Sequence, residues 1–185
     1  MMDRPATDDL DDVLSATSSV LEGIGADDWA RPTPCRDFDV SDLVDHVMTW
    51  STTYADRVGL SAPSEHSDGH RSDDGTGHPA AQRLRELAAV MVTGYRSDSD
   101  GSRGLPLGIV LLDYLGHTWD LAVATGQELR VPDSAVDRAL EAGRTMLTPE
   151  SRGDSFAPEV PVADDATALE RLVAFLGRDP GWTSA

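Results

Sequence analysis

The sequence predicts an all-α protein: a bundle of four long helices followed by short additional helices toward the C-terminus. Three observations lead there. Apolar residues recur at spacings of three and four through six segments, with start and stop residues of the right kinds at their ends. No segment shows the sustained apolar–polar alternation of a half-buried strand. The 185 residues are about one domain's worth at roughly 150 residues per domain, so residues 1–185 are expected to form a single domain. A chain of that size buries about 70% of its unfolded surface and needs no staple.

The first helix is expected over Asp8 to Ile24, where Leu10, Val13, Leu14, Thr17, Val20, Leu21 and Ile24 form one stripe. Thr7 is the expected N-cap, Asp8 and Asp9 suit the positive end of the helix dipole, and Gly25 ends the run. A proline-punctuated loop from Trp29 to Phe38 follows. Asp39 then caps a second helix reaching about Val58, with Val40, Leu43, Val44, Val47 and Met48 facing inward. Residues 59–79 are rich in Ser, Gly, Asp and His without periodicity and read as a mobile connection. A third helix fits Ala80 to Tyr95. The fourth, from about Pro106 to Thr125, is apolar almost all round and should be the most buried; Gly126 stops it. Shorter helices are expected near Asp133–Leu147 and Asp164–Leu176.

Charge narrows the range of partners. With 33 acidic against 15 basic residues, the net charge is −18, a surface that repels phosphate backbones and anionic lipid. Neither nucleic acid nor a membrane is expected as a partner. No apolar run approaches the ~18 residues of a bilayer span, and the N-terminus lacks the layout of a signal peptide, so a cytoplasmic location is expected. Every basic residue is arginine, which excludes lysine Schiff-base chemistry. The single cysteine, Cys35, cannot make an internal disulfide or a Cys-rich zinc site and is expected to be a small buried apolar residue.

An apolar helix should not carry ionisable groups without a reason. Asp113 and His117 interrupt the run Leu111-Leu112-Asp113-Tyr114-Leu115-Gly116-His117, and their i,i+4 spacing puts both on one helix face, with Cβ atoms about 5–6 Å apart. They can hold one metal ion, or they can be a plain hydrogen-bonded pair. His46, at the margin of the second helix's inward stripe, separates the two readings. If the second and fourth helices meet, His46, Asp113 and His117 make a three-ligand set with open positions for water or substrate, as at catalytic metal sites. Other clusters are weaker. His66 and His70 sit in the acidic connection, and His78 precedes Pro79 at a helix start. The segment Asp98-Ser99-Asp100-Gly101 fails the register of a calcium loop. Trp29, Trp50, Trp119 and Trp182 are expected in the core or over a site, since nothing basic surrounds them to make a stacking platform. No nucleophile elbow and no phosphate-binding loop is present.

Longer stretches carry a resemblance. Trp29-x-x-Pro32-Thr33-Pro34-Cys35, Asp42-Leu43-Val44-Asp45-His46 and His117-Thr118-Trp119-Asp120-Leu121-Ala122-x-Ala124-Thr125-Gly126 resemble the DinB-like superfamily. Within it they are similar to actinobacterial metal-binding proteins related to the N-terminal domain of mycothiol-dependent maleylpyruvate isomerase. The ending Phe175-Leu176-Gly177-Arg178-Asp179-Pro180-Gly181-Trp182 is also similar to a subgroup of these proteins. The resemblance implies a DinB-like four-helix bundle holding a divalent metal, with His46, Asp113 and His117 as ligands. Two departures stand beside it. The isomerases have a longer glutamate where this chain has Asp113, and they carry a second domain for which this chain has no residues left, so isomerase activity is not expected.

The expected function is that of a metal-dependent enzyme on a small-molecule substrate, a transferase using mycothiol or another low-molecular-weight thiol. Zinc suits a two-histidine, one-carboxylate site best, with iron, manganese and nickel as alternatives. A metal-dependent hydrolase and a non-catalytic metal-binding bundle, as a homodimer, are the competing expectations.

Overall fold

The computed structural model describes residues 5–58, 70–72, 74–98, 103–148, 151–152 and 156–184. These hold six helices: α1 Ala6–Glu22, α2 Val40–Arg57, α3 His78–Ser97, α4 Leu107–Ala124, α5 Asp133–Met146 and α6 Ala168–Phe175. Among the described residues there is no strand, only a single antiparallel bridge between Pro32 and Asp39. The all-α expectation is met.

The four long helices form a ring whose spatial order differs from chain order. α1 packs on α3 and α4, and α2 also packs on α3 and α4, so α2 and α4 are neighbours although α3 lies between them in sequence. α5 closes over α4 and α1, and α6 packs on α5 and α4. The core is the expected stripes, with Leu10, Leu14, Leu21, Leu43, Leu84, Leu87, Leu111, Leu115 and Leu121 wholly inaccessible. Each such leucine contributes about 1.5–3 kcal/mol by leaving water. As expected, α4 is buried through most of its length. Leu107–Ala124 is in fact long and apolar enough to cross a membrane by length and composition, contrary to the simple run-length reading, but 67% of it is buried inside the fold as a core helix.

Local chemistry explains where the ends fall. Asp39 caps α2 as expected through a reciprocal box: its carboxylate accepts from the Asp42 amide (2.9 Å), and the Asp42 carboxylate accepts from the Asp39 amide (3.3 Å). The same device, Thr167 with Glu170, starts α6 at Ala168, four residues after the expected start near Asp164. Only a residue with an acceptor partner at the third helical position closes that box. α1 begins one residue ahead of Thr7, behind Pro5, and stops at Glu22 rather than Ile24. Its end is crossed by Gly77, whose amide donates to the Ile24 carbonyl (3.1 Å) and where a Cβ would lie 2.0 Å from the Leu21 carbonyl oxygen. The expected mobile connection at 59–79 lies outside the described residues for positions 59–69 and 73. Its last two residues belong to α3.

Candidate metal centre

The adjacency of α2 and α4 brings the predicted residues together. His46 projects from α2 and His117 from α4 with ring centroids 4.8 Å apart, nearly edge to face. His117 Nε2 lies 3.4 Å from Asp113 Oδ1, one turn back on the same helix. One donor atom from each of His46, Asp113 and His117 falls within 4.8 Å of the others. Two ligands of a tetrahedral zinc ion, each about 2.0–2.1 Å from it, stand about 3.4 Å apart. The Asp113–His117 pair is at that spacing already, and His46, within 4.8 Å of both, needs to approach by at most about 1.4 Å. Two imidazole nitrogens and a carboxylate oxygen are a donor set divalent cations take, so the residues fit a metal.

These groups line one wall of a cavity of about 860 Å³. Apolar side chains make up much of the remaining lining, with Phe38, Trp50, Ile109, Leu112 and Phe156 among them. The loop before α2 forms the rim. Thr33 and Phe38 pair across it, the Thr33 amide and hydroxyl both donating to the Phe38 carbonyl (3.3 and 2.9 Å), and Asp37 takes a left-handed conformation (φ 69°) that a short polar side chain tolerates. The loop sets Cys35 and Arg36 at the cavity. Cys35 is therefore half-buried beside His117, not the enclosed apolar residue the sequence suggested.

Neighbours tune each donor. The Tyr54 hydroxyl donates to Asp113 Oδ2 at 2.9 Å; burial and the Asp113 charge push its own pKa far up, so it stays a donor. Burial raises the Asp113 pKa, but His117, Tyr54 and His46 override it, and the carboxyl sits below its ordinary range. Burial, together with the His117 charge, lowers His46 and keeps it a neutral, ligand-ready imidazole at pH 7. Burial also works against the charged form of His117. The carboxylates of Asp113 and Asp120, with Cys35, outweigh it, and His117 holds its proton well above pH 6.5.

Beyond the predicted set lie residues that local reasoning missed. Tyr54 falls two turns after His46 on α2, with Trp50 between, a stripe at i, i+4 and i+8. Asp120 is fully buried on α4, three residues after His117, and Arg178 grips it from the turn after α6 (3.2 and 2.8 Å). The rule that singled out Asp113 and His117 applies equally to Asp120; no local signal marks Arg178. The weaker candidates that are described stay apart from this site. His66 lies outside the described residues. His70 sits 3.6 Å from Asp45 on the outer side of α2, and His78 is exposed near Glu22 (3.8 Å). Trp29 and Trp119 are core residues, and Trp50 lines the cavity.

Comparison with known proteins now has a geometry to attach to. Residues 10–102 match the model of the mycothiol maleylpyruvate isomerase N-terminal domain. The chain belongs to that family. Two uncharacterized proteins of Mycobacterium tuberculosis, from strains CDC 1551 / Oshkosh and ATCC 25618 / H37Rv, are each 33% identical to it over 175 residues, covering 88% of this chain and 92% of theirs. No solved structure matches. Membership associates the chain with mycothiol-related, metal-associated proteins. The matched segment contains His46 but ends before α4, so the match itself does not reach Asp113 and His117.

Proposed function

We propose that this protein is a metal-dependent enzyme on small molecules, a transferase with mycothiol or a similar low-molecular-weight thiol as cosubstrate. His46, Asp113 and His117 would hold the divalent ion, with zinc the best match to two histidines and one carboxylate. The observation that carries the reading is the convergence of these three donors, from two helices not consecutive in sequence, on one wall of an 860 Å³ cavity. A divalent ion there supplies one thing, a thiol held as its nucleophilic thiolate at neutral pH.

The chain's own residues supply the rest. Tyr54 donates to one oxygen of Asp113 and leaves the other to face His117 and the ion. His46, neutral at pH 7, donates a lone pair without first losing a proton. Phe38, Trp50, Ile109 and Leu112 exclude water from the thiol's neighbourhood and offer apolar surface to an electrophile. Arg36 and Asp37, both exposed, bring opposite charges to the mouth of the cavity, so the rim offers a polar entrance of no net sign.

Calorimetric titration with zinc tests the metal, and cobalt-substituted protein titrated with a small thiol tests the chemistry. His117→Ala should weaken metal binding by at least about a hundredfold, while His70→Ala leaves it unchanged. Dominance of His70 with a neutral His117→Ala would overturn the site. A cobalt spectrum indifferent to every thiol would remove the transferase and leave a hydrolase or a binding module.

A further inference from the structure

His117 has two faces, and only one belongs to the ligand set. Nε2 points to Asp113; Nδ1 is buried without a hydrogen-bond partner and lies 3.5 Å from Asp120 Oδ2, just too far for a bond. Asp120 is itself wholly inaccessible, and Arg178, 8% exposed, donates to both of its oxygens and also to the Leu176 carbonyl (3.2 Å). Cys35, His117 and Asp120 also lie within 4.8 Å of one another and could be taken for a second ligand set. The guanidinium decides against that. A cation coordinated by Asp120 would sit beside a buried positive charge that already occupies both carboxylate oxygens.

We infer that Asp120 is the positioning carboxylate of the metal centre, accepting a hydrogen bond from His117 Nδ1–H and so committing Nε2 to the ion, with Arg178 fixing Asp120 in turn. The inference rests on the reading of His46, Asp113 and His117 as ligands. Metal-bound histidines commonly give their second N–H to a carboxylate, which sets tautomer and ring orientation and raises ligand basicity. Closing the 3.5 Å gap takes well under an ångström of ring movement, the kind of shift that accompanies drawing Nε2 onto a cation. The turn Leu176–Arg178 thereby becomes part of the metal centre. Gly116, where a Cβ would meet Leu176 at 2.9 Å, lets that turn lie close against α4 beside His117.

Competition titration of zinc against a chelator, on the full chain, measures the effect. Asp120→Asn keeps the shape but weakens the acceptor and should lower affinity about 10–100-fold. The double change Asp120→Leu with Arg178→Met removes both charges, avoids an unpaired guanidinium, and should lower affinity by a similar factor while the helical circular dichroism persists. Long-range proton–nitrogen spectra of the zinc-loaded protein should show His117 protonated at Nδ1, and the cobalt absorption of Asp120→Asn should shift from that of the parent. Asp9→Asn, at the other arginine-paired buried carboxylate, should leave the affinity and the cobalt spectrum unchanged. If His117→Ala weakens zinc binding but Asp120→Asn and the double variant bind within twofold of the parent, the positioning role is wrong and the ligand set stands. Protonation of Nε2 with Nδ1 on the metal overturns it too. If His117→Ala binds zinc like the parent, the ligand set itself has failed.

Discussion

Asp9 near the start of α1 and Asp120 near the end of α4 are both fully buried, and each accepts hydrogen bonds from an arginine of a later element. Asp9 takes the Ser134 hydroxyl (2.6 Å) and the Arg138 guanidinium (2.8 Å), both from α5. Asp120 takes Arg178 and, on its remaining side, faces His117. One pair ties two helices together and lines no part of the cavity. The other stands between the turn after α6 and His117, a proposed ligand of the metal. The local chemistry of the two pairs is the same, and what lies next to each decides whether it is a staple or part of a site.

The largest effect separating them is on stability alone. Asp9→Ala removes the carboxylate that accepts from Arg138 and the Ser134 hydroxyl, and breaking a buried pair costs about 3–5 kcal/mol. Arg138 is 29% exposed and can recover water, so a loss of about 3 kcal/mol is expected, the low end. Urea unfolding should read it, with zinc affinity of the folded protein unchanged; a fall in affinity would erase the contrast.

The next effect is in pH. His117 has its folded-state pKa raised, so its stabilising contribution to the metal-free protein is complete below the unfolded value of about 6.5 and is lost as pH climbs through the folded value. Metal must displace that proton. Zinc affinity should therefore climb by about tenfold per pH unit across the same window and flatten above it, with proton release visible when calorimetry is repeated in buffers of different ionisation heat. The Asp9 pair includes no histidine, so the Asp9→Asn protein should keep the same profile. A flat affinity from pH 6.5 upward would remove His117 from the ligand set.

The smallest effect concerns the other side of the site. Tyr54→Phe deletes one hydrogen bond to Asp113 and leaves its second oxygen in place. About 1 kcal/mol, or roughly fivefold in zinc affinity, is expected from chelator competition. A loss as large as that of His117→Ala would mean that Tyr54 holds the ion itself.

Much of this arrangement was legible from local pattern. The 3.6-residue stripes and the Asp39 cap marked the long helices, and the i,i+4 spacing of Asp113 and His117 marked half of the donor set. His46 was legible as a candidate, but its convergence depended on α2 and α4 being neighbours across the bundle, which no local spacing encodes. Asp120 was within reach of the same argument, since a second acid on an apolar helix needs a partner as much as the first. Arg178 was not. Its partner lies 58 residues away, and a lone arginine after a short helix looks like any solvated charge until the turn is seen folded inward. Cys35 was misjudged for a related reason. The bridge between Pro32 and Asp39 swings its loop toward α4 and sets the thiol against the cavity instead of in the core.

The pairing of Asp120 with Arg178 also bears on how the chain is made. Synthesis runs from the N-terminus, so all four long helices emerge before Arg178 is added, and α4 must begin to pack while its Asp120 carboxylate has no counter-charge. A nascent bundle in that state keeps this end of α4 wet, since burying the carboxylate without its arginine would leave it uncompensated. The end of α4 that carries Asp120 is then the last part of the ring to dry, and it does so when the turn after α6 docks. Assembly of the donor set therefore follows the translation of Arg178, even though every proposed ligand has left the ribosome's active site long before.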